Sequence, residues 1–171
     1  MTEYRTETER MLFSLPLAGS AFRKVYFDPS LGRPCSMFVP AEDFVVSYGA
    51  SDLATCERAT HVMKKSPNEI RKLQVSGFYL DIDLDDASSD PDRIKLKYDE
   101  LTGDSGNYEA DSRHTLLEMQ VDLDLPGFED ERDGELTGIN LPYVVTIDLS
   151  SRTILSVRRN WYEEDDLKNK R

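Results

Sequence analysis

Two cysteines, two histidines and one tryptophan are spread over 171 residues, and no apolar run approaches the length of a bilayer span. Each shortage excludes something. Cys35 and Cys56 show no Cys-x-x-Cys spacing and have only His61 and His114 to join them, too few soft ligands for a structural zinc site. Their scarcity suits a reducing, cytoplasmic setting, with a single disulfide as the open alternative. A transmembrane helix needs about 20 consecutive apolar residues, which this chain lacks. The first ten residues, MTEYRTETER, mix both charges and contain no apolar signal core. No Walker loop and no Gly-x-Gly-x-x-Gly occurs, so nucleotide binding has no motif to stand on. Cations are also short: 21 Lys and Arg face 33 Asp and Glu, a net charge of −12. Counterion-displacing contact with nucleic acid needs the opposite balance.

What is present reads as one soluble domain over 1–171, long enough to bury about 70% of its unfolded surface. Residues 1–20 are expected as an N-terminal helix and linker, with a helix from 3 to 15 ended by Pro16 and Gly19. Phe22, Lys24 and Tyr26 alternate with Arg23, Val25 and Phe27. Asp28-Pro29 to Gly32-Arg33 is turn chemistry, and Cys35 to Val39 returns, so 21–39 reads as a hairpin. Asp43 to Tyr48 and Arg58 to Met63 are short strand candidates. "KSPNEIRKLQVSGF" is a capped helix: Ser66 caps, Pro67 suits the first position, Glu69 completes a capping box and Gly77 suits the left-handed end. A second helix is expected over Pro91 to Leu101, capped by Asp90, inside an acidic loop spanning 83–113.

From His114 to Leu125 the chain alternates as a strand, with Leu117, Met119, Val121, Leu123 and Leu125 on one side. Tyr143 to Leu149 and Thr153 to Trp161 make a last hairpin around Ser150-Ser151, before a charged tail over 162–171. Strands joined by turns with a few short helices define an α+β class, mostly antiparallel sheet built from hairpins.

Two acidic stretches invite a metal reading. In "GFYLDIDLDDASSDPD", Asp81, Asp83 and Asp85 hold positions 1, 3 and 5 of a calcium loop. Position 6, where the chain must turn sharply on Gly, is Asp86, and position 12 is Asp92. Tyr79, Asp81, Asp83 and Asp85 also alternate with Leu80, Ile82 and Leu84. That is the pattern of a strand with its apolar set toward the core and its aspartates in water. "EDERDGE", Glu129 to Glu135, holds an Asp-Gly turn and reads as a solvated hairpin loop. No carboxylate pair is singled out for acid–base work. His61 and His114 lack a nucleophile pattern and read as structural. "SVRRNWYEE" sets Arg158 and Arg159 beside Trp161 and Tyr162, a composition enriched at protein interfaces. No catalytic, cofactor-binding or metal-ligating residue is assigned, and no cofactor is called for.

The phrases "GSAFRKVYFDPSLGRPCSMFVPAEDFVVSYGASDLATCERATHVMKKSPNEIRKLQVSGFY" and "HTLLEMQVDLDLPGFEDERDGELTGINLPYVVTIDLSSRTILSVRRNW" resemble tailed-bacteriophage portal proteins of the prophage type. The similarity covers roughly residues 19–82 and 114–161. It implies a head–tail connector subunit without enzymatic activity, located at a capsid vertex of the virion and in the host cytoplasm during assembly. The matching region is similar to the peripheral wing domain. Implied partners are further copies in a ring (typically a dodecamer), the terminase motor, capsid or scaffold proteins and tail adaptors, with double-stranded DNA passing through without specific binding and no membrane. Portal chains are much longer, so the expectation is an excised or truncated domain. Two other readings compete: a stand-alone adaptor docking a partner through exposed Trp161, Tyr162 and Arg158, and a divalent-metal hydrolase built on Asp81, Asp83 and Asp85.

Overall fold

The computed structural model describes residues 4–28, 31–53, 55–84, 97, 100–101, 113–162 and 164. Its frame is a five-stranded antiparallel sheet. It comprises β3 (Phe44–Val46), β4 (Arg58–Lys65), β5 (His114–Leu123), β8 (Leu141–Asp148) and β9 (Ile154–Arg159), paired in that spatial order. A separate hairpin of β1 (Phe22–Asp28) and β2 (Arg33–Val39) lies over it, preceded by α1 (Tyr4–Ala18). Helix α2 (Pro67–Val75) follows β4, and a two-residue-per-strand hairpin, β6 (Glu131–Arg132) with β7 (Glu135–Leu136), projects between β5 and β8. This is the α+β, mainly antiparallel architecture that the alternation implies.

Local chemistry explains most boundaries. The hydroxyl of Ser66 accepts from the Glu69 N–H at 3.3 Å while the Glu69 carboxylate accepts from the Ser66 N–H at 2.8 Å, a complete capping box. Such a cap contributes roughly 1 kcal/mol. Gly77, at φ 74°, then carries the chain out of α2. Asp133 and Gly134 both take positive φ, 54° and 83°, the type I′ geometry that joins two twisted strands by two residues.

The two sheet faces bury different things. Leu117, Met119 and Val121 of β5 share a face with Tyr143 and Val145 of β8, where Leu141, Tyr143, Val145 and Trp161 form a core cluster. Trp161 meets the Tyr143 ring edge-on at 5.1 Å. On the opposite face, Leu116 packs with Leu155, Ile70 of α2 and Tyr79. The hairpin β1–β2 docks on that second face, with Phe22 stacked 4.4 Å from Phe44 of β3.

Three expectations are corrected. Pro16 does not end the first helix, which runs through it to Ala18 and stops where Gly19, at φ 76°, donates to the Leu15 carbonyl. Proline lacks the N–H that would pair with the Leu12 carbonyl, so the helix carries one broken rung in its last turn before it stops. The segment Tyr79–Leu84 is not a sheet strand. Tyr79 is buried, whereas Leu80 and Ile82 are 54% and 36% exposed, so the expected faces do not hold. The Leu80 N–H donates to the Leu155 carbonyl at 2.8 Å, which lays the segment against β9 and turns Tyr79 inward. Third, Trp161 is interior rather than exposed. The expected helix over 91–101 lies outside the described residues, except that Lys97, Glu100 and Leu101 are helical. The tail 162–171 is outside them apart from Tyr162 and Glu164.

The β8–β9 turn is organised by one carboxylate. Asp148 is fully buried; its Oδ2 accepts from the Ser150 hydroxyl at 2.5 Å and from the Ser151 N–H and hydroxyl, both at 2.8 Å. Its Oδ1 faces His114 Nδ1 at 3.3 Å. Burial works to raise this carboxyl, but the Ser150 and Ser151 donors and the His114 charge together hold it below the ordinary carboxylate range. A carboxyl depressed on folding stabilises above its unfolded pKa, and that contribution is lost as pH falls through the folded value. Asp148→Asn should therefore destabilise by about 1–3 kcal/mol at neutral pH. In urea melts, the gap between wild type and variant should close below about pH 4; a gap that stays constant to pH 3 would remove the ionic role.

Candidate functional site

One register row crosses the whole sheet: Phe44, His61, Glu118, Thr146 and Ser156 stand side by side on β3, β4, β5, β8 and β9. Direct cross-strand partners share a face, so four polar side chains line up on one face, with Lys24 of the hairpin over Glu118. His61, Thr146 and Ser156 are buried. Of this row, His61 Nδ1 and Ser156 Oγ have no hydrogen-bond partner among the described residues, while Thr146 lies in hydrogen-bonding reach of the Tyr79 phenol. Native interiors leave few such groups, and each calls for a cause.

Glu118 is satisfied from above. Lys24 Nζ of β1 reaches its Oε1 at 2.5 Å, with both side chains largely buried. Lys24 also lies 5.3 Å from the Tyr26 ring. The hairpin is therefore tied to the sheet by one ion pair at its centre and by Phe22 on Phe44 at its base. Helix α1 is tied to the hairpin in turn: Glu7 accepts from the Phe38 N–H at 2.6 Å, and Arg23 donates to the Thr8 hydroxyl and lies over the Tyr4 ring.

Two cavities flank the ion pair, of about 400 Å³ and 250 Å³, and Lys24, His61 and Glu118 line both. The larger is walled by Met37, Phe38, Met63, Phe78 and Tyr79, with Asp43 and Lys65 also on its lining. His61 is held below its ordinary pKa, first by burial and then by the Lys24 charge; Glu118 and Asp43 pull the other way without prevailing. Burial, with the Glu118 charge added, pushes the Tyr79 phenol up to about 12. At neutral pH the imidazole and phenol are therefore both uncharged, and Lys24 and Glu118 cancel each other. The arrangement offers hydrogen bonds inside an apolar wall rather than a poised acid and base.

The residues singled out from sequence do not converge on one site. Asp81 is exposed and paired with Arg71 of α2, Asp83 is exposed, and Asp85 lies outside the described residues. No group of three or more metal-ligating side chains comes together among the described residues. The Glu129–Glu135 run forms the tip hairpin, in water as expected. Arg158 lies over the Phe78 ring at 4.0 Å and Arg159 is 5.6 Å from the Trp161 ring, while Tyr162 is exposed. The grouping of Lys24, His61, Glu118 and Tyr79 escaped sequence reading. A usable signal existed: Glu118 interrupts "LLEMQV" at mid-strand, and Lys24 occupies the matching place in "FRKVYF".

No protein-family model matches the chain, and a search of curated proteins finds no similar sequence. No helix among the described residues is long and apolar enough to cross a membrane.

Two measurements check the seam. Because folding lowers the His61 pKa, the unfolded chain binds more protons below about pH 6.5, and stability falls as pH drops through that value. His61→Gln should show a smaller loss between pH 7.5 and 5.5 in urea melts than wild type; equal losses would contradict it. For the ion pair, Lys24→Ala, Glu118→Ala and the double variant should give a coupling energy of about 0.5–3 kcal/mol. Strict additivity would mean that Lys24 does not hold the hairpin down.

Proposed function

We propose that the chain is a structural unit, a peripheral wing-type domain of a tailed-phage portal, part of the connector through which the genome enters and leaves the capsid. One observation carries the reading. The two portal-like phrases, 19–82 and 114–161, each supply part of the five-stranded sheet. The first supplies the hairpin, β3, β4 and α2; the second supplies β5 to β9, and the two join where β4 pairs with β5. A resemblance that coincides with every strand of the sheet is what a shared domain requires. The buried polar groups serve internal fastening: Glu118 the hairpin, Asp148 a turn. The net charge of −12 agrees with a surface that lets DNA phosphates pass without adhering.

Helix α1 adds a reason to expect neighbours. It buries none of its residues, and Phe13 and Leu17 are 83% and 88% exposed. Large apolar side chains left in water mark contact surfaces. The adaptor reading shares this feature but loses Trp161, which is interior. The hydrolase reading retains little, since Asp81 is engaged by Arg71.

The test is expression of the whole open reading frame that contains this segment, followed by negative-stain electron microscopy. Rings with an axial channel are the expected outcome, with terminase and capsid genes as neighbours. A monomer from an operon lacking both would overturn the reading. Phe13→Asp with Leu17→Asp should leave the fold within about ±0.5 kcal/mol per substitution yet reduce ring yield; unchanged yield would free α1 from that role.

A further inference from the structure

The larger cavity of the seam has properties that fastening the hairpin does not require. About 400 Å³ lies within the roughly 300–1,000 Å³ of small-molecule sites. The space is a partly open cleft that the hairpin and the sheet leave between them. The walls are aromatic and thioether: Phe38, Phe78 and Tyr79 with Met37 and Met63. Methionine sulfur and ring edges both favour an aromatic occupant.

The polar groups narrow the chemistry further. Lys24 and Glu118 answer each other at 2.5 Å, and the remaining charged lining is balanced, Asp28 and Asp43 against Lys64 and Lys65, so no net charge selects a charged ligand. His61 differs. It is 8% exposed, it lines the cavity, and its Nδ1 lacks a partner among the described residues. A buried ring nitrogen left unpaired costs about 1–3 kcal/mol, which an occupant with one hydrogen-bonding group would recover.

We propose that this cavity binds a small uncharged aromatic molecule carrying a single hydrogen-bonding group, of the phenol or indole class, with the ring between Phe38, Phe78 and Met63 and the polar group on His61 Nδ1. The site is independent of the assembly reading, since none of its groups needs a neighbouring subunit. Water is the competing occupant, and it would satisfy His61 while leaving the apolar walls poorly matched.

The probes are phenol, indole, toluene, benzoate and benzylamine, added to the 171-residue chain. Ligand-observed NMR gives affinity, and thermal melting reports the stabilisation that binding to the folded state must produce. Phenol and indole should bind saturably and raise the melting temperature. Toluene should bind roughly 3- to 10-fold more weakly, the worth of one hydrogen bond, and the charged rings more weakly still. His61→Leu should abolish the preference for phenol over toluene. Should that variant fail to fold, long-range proton–nitrogen spectra of the wild-type imidazole replace it, and the Nδ1 resonance should move on phenol addition. The proposal is overturned if no probe saturates, leaving water as the occupant. It is equally overturned if benzoate or benzylamine binds most tightly, or if phenol binds without moving His61 Nδ1.

Discussion

A sheet covered on both faces must find a partner for every ionisable side chain its central strand turns inward, and Glu118 and His114 of β5 are two of these. Each is answered from a different part of the chain. Lys24 comes down from the hairpin onto Glu118, and Asp148 stands at the end of β8 opposite His114. These two pairings determine where the other pieces sit. The first places β1–β2 over the middle of the sheet, and the hairpin carries α1 with it through Glu7 and Arg23. The second locks the turn that returns β9, whose bulged Leu155 then meets Leu116, Ile70 and Tyr79. Removing Lys24 would leave the Glu118 charge largely buried and unanswered, the expensive way to lose an interaction.

The apolar core divides accordingly. One cluster, around Trp161 and Tyr143, is sealed by the chain just beyond β9 and by Leu125 just beyond β5. The other, around Leu116, is sealed by α2 and Tyr79, both within twenty residues of β4. Between the second cluster and the hairpin lie His61 and Glu118, too polar to be closed by aliphatic packing. The cavities lie along this seam because a long Lys24 side chain props the hairpin at ion-pair distance from a sheet residue. An assembly subunit and a small aromatic site are compatible here, since the first uses the outer surfaces and the second the cleft between hairpin and sheet.

How far the sequence could be read follows the range of each signal. The Ser66–Glu69 box, the Asp133-Gly134 turn and the 28–33 connection act within four or five residues, and each lies where its chemistry puts it. The alternation of β5 announced a strand with Leu117, Met119, Val121, Leu123 and Leu125 on one side, and all of these but Leu117 pack on the Trp161 cluster. The same periodicity misled at Tyr79–Leu84. Alternation records what a segment could do in a sheet, while the Leu80–Leu155 hydrogen bond and the pull of the core on Tyr79 decide what it does. Trp161 looked like an interface residue for the same reason: its composition is ambiguous until Tyr143 is brought beside it.

By itself the sequence determined most element types, the helix cap, the tight turns and the acidity, because these depend on side-chain chemistry and neighbours a few positions apart. Tertiary structure alone decided that residues 24 and 118 form a pair, that 114 and 148 form another, and that His61 is buried beside an unfilled space. Those contacts join positions up to 94 apart in the chain. Nothing local selects them: burial removes water as the alternative partner, and the register of β4, β5 and β8 sets which buried groups stand side by side.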